Sequence, residues 1–464
     1  MAATTLAAPR EKGFLDRLLS LTAEVHAGEA ATALLLAVNV FVLLAAYYII
    51  KPVREVLILA DQGAKIKSYS GAILAFLFLF LVPAYGAFAS KFNRIRLING
   101  VSLFFISHLV IFALLGQAGV PHLGIPFFLW ISIFSLMVLA QFWGFANDLY
   151  THEQGKRLFA IVGIGSSVGA VAGSQVYKFL QQRKVDDFEK MLVAAVLLLA
   201  CLALTNLIHQ REKGRAPSEA RRREAEQPLG KDGGYQLVFR HRYLLFIGLL
   251  TLMINFINTN GEYIRDETFL LVARDAVTAE TSTTLSGQEL ERQVDQVRRR
   301  IIGDFYADFQ FWQNLLGALF QFFLVSRVIK YLGVRGALFI MPAISLGGYS
   351  LFAAAPLLGV IRIAKILENS TDYSLQNTLR QALFLPTSRE AKYKAKQAVE
   401  TFFWRAGDML SGLTVLAGPG LAGLGVRAFA TINVGMVVLW LLLVLGIAQE
   451  HRKLVAEAPV EAAA

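Results

Sequence analysis

The chain has 464 residues, 55% of them hydrophobic and only 17% charged, with 34 phenylalanines. That balance excludes an ordinary soluble domain, and the single cysteine, Cys201, excludes an intramolecular disulfide framework. The net charge of +11 does not point to nucleic acid, because Lys and Arg cluster in short segments between apolar runs, the orientation pattern of a membrane protein.

Residues 1–29 carry no charged-then-apolar leader with a cleavage site and read as a cytoplasmic N-terminal segment. Within it Phe14, Leu15, Leu18, Leu19 and Leu21 fit either a short helix lying on the membrane surface or a solvated tail. A spanning helix needs ~20 mostly apolar residues. Such runs are predicted at 30–50, 68–89, 97–116, 125–147, 158–180 and 190–209, which make an N-terminal half over 30–209. A basic linker follows at 210–242 and contains Arg221-Arg222-Arg223. A C-terminal half over 243–449 has runs at 243–262, 305–326, 335–355, 357–377, 397–418 and 426–448, before a cytoplasmic tail at 450–464. Residues 263–300 form an external segment charged in both signs, and 285–300 are expected to continue as a helix into the eighth run.

Loop charge sets the orientation. Lys91, Arg94 and Arg96 follow the second run, Lys156 and Arg157 the fourth, and Arg327, Lys330 and Arg335 the eighth, whereas residues 117–123 contain no Lys or Arg. Both termini are therefore expected in the cytoplasm. The expected fold is an all-α membrane protein of about twelve transmembrane helices in two six-helix halves. That layout, with its basic central linker, is major-facilitator-like, and substrates of such folds bind between the halves near mid-membrane. Gly86-Ala87-Phe88-Ala89-Ser90-Lys91-Phe92-Asn93-Arg94 also resembles that superfamily's loop between its second and third helices, with Ser90 in place of the usual aspartate.

Two charged motifs stand out inside the apolar runs. Lys51-Pro52-Val53-Arg54-Glu55 closes the first, and Glu262-Tyr263-Ile264-Arg265-Asp266 closes the seventh. Both read x-x-x-Arg-acid, with Lys51 and Glu262 at matching positions and of opposite charge. A charge carried into the bilayer costs at least ~2.5–3.5 kcal/mol, so such residues usually line a pathway. Lys51 and Glu262 are accordingly expected to face one another across a central cavity. Further along, Arg362, Lys365, Asn369, Asp372, Gln376 and Arg380 recur at helical spacing. That stripe should face the interior, either lining a cavity or forming a self-neutralised network of Lys365 with Glu368 or Asp372. Arg405 and Asp408, one turn apart, read as a structural ion pair.

In Phe142-Trp143-Gly144-Phe145-Ala146-Asn147-Asp148 and the small-residue run after it, Gly163, Gly165, Gly169 and Gly173 suit close helix packing. No strand precedes the Gly-x-Gly and no P-loop lysine follows it, which excludes a soluble nucleotide fold. No His/Cys/Asp metal spacing and no nucleophile–base pair is present, so neither an enzyme nor a cofactor is expected.

Four stretches are similar to the ATP/ADP translocase family of nucleotide transporters found in plastids and intracellular bacteria. They are residues 51–59, 142–157, 260–265 and 373–408, the last including Tyr373-Ser374-Leu375, Lys394-Ala395-Lys396 and Gly407-Asp408. The resemblance implies a divergent bacterial member with a major-facilitator-like fold and ATP/ADP exchange. Carried over residue by residue, it implies functional roles for Arg54, Glu262, Lys394 and Lys396. Two departures are visible. Arg54 stands where the family has a lysine, and Trp130, Ile131 and Ser132 occupy the region of a characteristic fourth-span glutamate.

Two functions stay open at this point, with a sensor or scaffold as a third. The first is exchange of an anionic, phosphorylated metabolite, nucleotides first. Lys51, Arg54 and Arg265 would attract the anion, and Lys365 and Arg380 would face it from the other side. The second is proton-coupled transport with Glu262, Asp308 and Asp372 as proton carriers. The expected setting is a monomer in a bacterial inner membrane, contacting lipid and a small anion but no nucleic acid.

Overall fold

The computed structural model describes residue 15 and residues 25–26, 28–89, 92–150, 152–212, 234–281, 287–388 and 391–457. The surface helix expected within 1–29 and most of the basic linker lie outside them. Among the described residues there are no strands.

The N-terminal half comprises α1 (Ala30–Asp61), α2 (Gly63–Ala89), α3 (Arg94–Gln117), α4 (Gly124–Leu149), α5 (His152–Gln182) and α6 (Asp187–Glu212). A short helix, Gly234–Arg240, leads into α7 (Arg242–Glu280). Helix α8 begins at Gly287, passes through a π turn at Phe320–Leu324 and is broken at Gly333, where φ is 66°, before a last turn to Ala337. Then come α9 (Ile340–Ala354), α10 (Leu358–Thr371, a π turn at Asp372–Gln376, and Asn377–Leu383), α11 (from Ala391 to Ala422) and α12 (Val426–Glu457). Among the described residues nine of these helices are long and apolar enough to cross a membrane. Helix α9 is a shorter apolar helix, and the polar helices α10 and α11 are interrupted by π turns.

Helices α1 and α7 are longer than their apolar runs. The charged turn at Lys51–Glu55 does not end α1, because Arg54 and Glu55 neutralise each other inside the bundle and the helix continues to Asp61. In the same way α7 runs on through Arg265-Asp266 to Glu280, so residues 263–280 are a helical extension and not a loop. The expected continuation of residues 285–300 into the eighth span is present from Gly287.

Two apolar cores hold the bundle. One joins Leu36, Ile49, Phe127, Ile131, Tyr177 and Leu198 of the first six helices. The other joins Ile247, Ile264, Tyr349, Phe352, Leu379 and Trp440 of the last six. Outside them Phe76, Phe80, Phe104, Leu114, Val196 and Leu442 are exposed. Helices whose outer faces are apolar and whose backbone bonds are satisfied internally suit a hydrocarbon solvent.

The small-residue run is a packing seam. A Cβ at Gly165, Gly169 or Gly173 of α5 would press on the carbonyl oxygens of Ala37, Phe41 and Ala45 of α1. Three approaches at four-residue spacing lock α1 to α5 backbone against backbone. Gly144 in turn leaves room for the guanidinium of Arg94 from α3. That fit gives the Phe142–Asn147 motif a packing reason at this position.

The base of α1 is pinned electrostatically. Arg157 Nη1 donates to Glu29 Oε2 at 3.0 Å, and Gln154 Nε2 donates to Oε1 at 3.0 Å. Burial alone would raise the Glu29 carboxyl, but these donors and the His26 amide hold it below its ordinary value of 4.5. A carboxyl lowered on folding stabilises the protein above its unfolded value and loses that contribution as pH falls through the folded one.

Two outcomes follow from this packing. Gly169→Val should lower stability by about 1–3 kcal/mol, read as a lower melting temperature in detergent, and an unchanged melting temperature would exclude the seam. Glu29→Gln should melt below the parent protein at neutral pH, and the gap should close as pH drops below about 4.5. A gap independent of pH would show that the Glu29 charge is not what counts.

Candidate functional site

The two charged motifs come together at one junction. Arg54 Nε donates to Glu55 Oε1 at 3.0 Å, with Nη2 against the same oxygen, and Arg54 Nη1 reaches Ser132 Oγ at 3.4 Å. On α7, Arg265 Nε donates to Asp266 Oδ1 at 2.7 Å, and Tyr306 of α8 donates its hydroxyl to the same oxygen at 2.5 Å. The matching sequences thus build matching Arg–carboxylate units, one in each half.

What joins them is Lys67, near the start of α2. Its Nζ lies 2.6 Å from Glu55 Oε2, 2.6 Å from Asp266 Oδ2 and 3.9 Å from Glu262 Oε2. Lys67, Glu55 and Asp266 are all buried. The Glu262 side chain is 33% exposed, so it presents a free side to the cavity. Gly261, just before it, leaves room for the Tyr349 hydroxyl, which lets α7 and α9 close together.

Beside the junction is a cavity of about 240 Å³ between the halves. Its charged lining is Arg54, Lys67, Glu262, Asp266, Arg405 and Asp408. Phe128, Ser132, Asn258, Tyr373 and Trp404 contribute aromatic and neutral polar surface. Arg405 Nη1 donates to Asp408 Oδ2 at 3.1 Å, and Asn255 Nδ2 donates to Asp408 Oδ1 at 2.7 Å. The pair read from sequence as structural is indeed an ion pair, yet it stands in the cavity wall.

All described ion pairs between the halves lie toward one end of the bundle, opposite the start of α1. Besides Lys67, Arg299 Nη2 meets Asp61 Oδ1 at 2.6 Å and Lys178 Nζ meets Asp308 Oδ1 at 2.6 Å. At the same end Lys65 Nζ donates to the Pro419 carbonyl at 2.9 Å. This end is closed.

The other expected site residues distribute differently. Lys51 forms no ion pair with Glu262. Its amine lies 5.2 Å from the Tyr48 ring and 5.8 Å from the Tyr373 ring, and the contact with Glu262 is made by Lys67. Arg265 is buried behind the wall against Phe309, 4.5 Å from the ring centroid. The stripe on α10 points inward but is used for packing. Lys365 is 0% exposed and donates to Glu368 Oε2 at 2.9 Å and Asn258 Oδ1 at 2.6 Å. Asn369 Nδ2 donates to Gln313 Oε1 at 2.9 Å, and Asp372 lies 3.8 Å from Arg380. Lys365, Asn369, Asp372, Gln376 and Arg380 therefore do not line this cavity; of that stretch, Tyr373 does. Packing against α7 and α8 gives Lys365 and Asn369 polar partners, whereas both amide atoms of Gln376 stay buried without one. Lys394 and Lys396 also lie outside the lining, with Lys396 3.9 Å from Glu400. Asp308 is taken by Lys178 and, at 3.5 Å, by Arg362.

Residues 127–262 match the family model described as TLC ATP/ADP transporter. The chain is similar to ADP,ATP carrier proteins. It is 21% identical over 353 residues to ADP,ATP carrier protein 1 of Chlamydia pneumoniae, covering 66% of this chain and 63% of that protein. It is 23% identical over 330 residues to the same-named protein of Chlamydia muridarum, covering 61% and 57%. The chain thus spans less than two thirds of the length of these relatives. Among solved structures it is similar to a mutant of the nucleoside transporter NupG, with TM-score 0.58, 12% identity and coverage of 90% of this chain and 99% of that one. It is similar also to the POT family transporter PepTSo, with TM-score 0.58, 12% identity and coverage of 91% and 98%. These establish the major-facilitator fold. The family match contains the Phe142–Asn147 motif and ends on Glu262, while Arg54, Lys67, Lys394 and Lys396 lie outside it.

Sequence reading passed over Lys67 because the second run was started at residue 68. A signal was present: Lys65 and Lys67 sit where the alternation of basic loops calls for few cations, so they needed partners elsewhere in the fold. Lys67→Met should destabilise the protein by roughly 3–5 kcal/mol, the cost of leaving buried charges unpaired, while Lys67→Arg should recover part of it. Equal melting temperatures for Lys67→Met and the parent protein would remove the junction as a stabilising element.

Proposed function

We propose that this protein is a multi-pass secondary transporter that exchanges anionic, phosphorylated metabolites, nucleotides first among them, by alternating access. The observation that carries the reading is the central cavity, where Arg–carboxylate units from both halves meet on Lys67 beside the partly exposed Glu262. The family match and the names of the ADP,ATP carrier relatives support nucleotides as cargo. The chain's Gly-x-Gly lacks a P-loop, so the nucleotide is cargo and not fuel. Guanidinium groups of Arg54 and Arg405 present donors to the cavity, and a phosphate is a natural bidentate acceptor for them. Rocking of the 30–209 half against the 243–449 half would expose the cavity to each side in turn. The basic connections support an orientation with both termini in the cytoplasm, in keeping with a bacterial inner membrane. On that orientation the end tied by ion pairs faces outward.

A second reading, proton-coupled transport, is favoured by one observation: Glu262 is the junction acid that keeps an exposed side. Liposome transport separates the two. Arg54→Ala should abolish nucleotide uptake and Arg54→Lys should retain part, since charge survives while the bidentate fork is lost. For Glu262→Gln, exchange predicts impaired counterflow with little pH dependence. Intact counterflow with lost pH-driven uptake would replace exchange by proton coupling.

A further inference from the structure

The cavity has a definite balance of fixed charge. In its wall the cations Arg54, Lys67 and Arg405 face the anions Glu262, Asp266 and Asp408, equal in number. Immediately behind, Glu55 is bound by Arg54 and Lys67, and Arg265 is bound to Asp266, which again cancel. On α10 the nearby Lys365 pairs with Glu368, and Arg380 with Asp372. Lys51 is left over. Among the described residues no carboxylate lies within ion-pair distance of its amine, which is instead held over Tyr48 and Tyr373. Tyr373 itself lines the cavity, so the unbalanced charge stands one aromatic ring away from the cargo.

Resting on the nucleotide reading above, we infer that the preferred cargo is a nucleotide with one net negative charge, not a polyanionic di- or triphosphate. The cavity guanidinium groups are already neutralised by their own carboxylates. They supply hydrogen-bond direction to a phosphate but no excess charge. Alternating access passes through a state closed at both ends, in which water no longer screens the site and every unmatched charge is felt at low dielectric. A monoanion is matched by Lys51, whereas each further ionised phosphate oxygen is left unmatched.

The test is a thermal-shift series on the detergent-purified full chain at fixed pH and ionic strength, without magnesium. The ligands are adenosine, cyclic adenosine monophosphate, AMP, ADP and ATP. A ligand that prefers the folded state raises its melting temperature with concentration. The cyclic monophosphate, a single-charge probe, should stabilise at the lowest concentration. The concentration needed should rise on the order of tenfold for each added charge, as expected for like charges about 10 Å apart at an effective dielectric constant near 20. Lys51→Gln should make adenosine and the cyclic monophosphate equivalent. Glu262→Gln, which adds one positive charge to the site, should move the optimum to AMP. Strongest stabilisation of the parent protein by ADP or ATP, or an unchanged preference in both variants, would overturn the inference and leave the nucleotide reading standing. No shift with any of the five ligands would overturn the nucleotide reading itself, and this inference with it.

Discussion

The ion junction at Lys67 is the constraint around which the two halves are arranged. One ammonium touches a carboxylate from α1 and another from α7, each at 2.6 Å. Asp266 is held in turn by Arg265 and Tyr306, and Glu55 by Arg54. Burying ions is unfavourable unless each is paired and hydrogen-bonded, and here the pairing crosses the interface between halves. Separating the halves at this end therefore exposes matched charges to water, which lowers the cost of opening compared with parting an apolar seam. A junction made of ions is also sensitive to charge in the cavity beside it, and one made of leucines would not be.

The halves themselves are built differently. In the first, α1 and α5 meet through glycines at four-residue spacing, a backbone contact with no flexible side chain between. In the second, π turns interrupt α8, α10 and α11 at Phe320–Leu324, Asp372–Gln376, Ala391–Ala395, Val399–Phe403 and Leu416–Ala422. A π turn loosens the regular ladder and frequently marks a functional segment. Trp404, Arg405 and Asp408 of the cavity wall follow one of these turns, so part of that wall is carried by the half that π turns interrupt.

Much of the architecture was legible in the linear chain. Apolar runs of about twenty residues can be satisfied in lipid only as helices, and basic segments recur at alternate exits, so the all-helical, two-half fold follows from composition and order. The x-x-x-Arg-acid duplication likewise pointed to paired helices in the two halves, and Arg54 and Glu262 do line the cavity. The helix limits were less legible. An Arg followed by an acid looks like the end of a span until the fold shows them neutralising each other inside it.

Which charges meet was decided by the tertiary structure alone. Helical periodicity places Lys365, Asn369, Asp372 and Gln376 on one face, but it does not say whether that face meets water or another helix; packing against Asn258 and Gln313 made it a buried network. Lys67 lies 199 residues from Asp266, and no local pattern couples positions so far apart. The sequence by itself determined that the chain spans a membrane as paired helical bundles, because apolar length and loop charge are local properties. The tertiary structure decided that Lys67 and not Lys51 meets Glu262, because an ion pair depends on where two helices cross and not on how their residues are spaced.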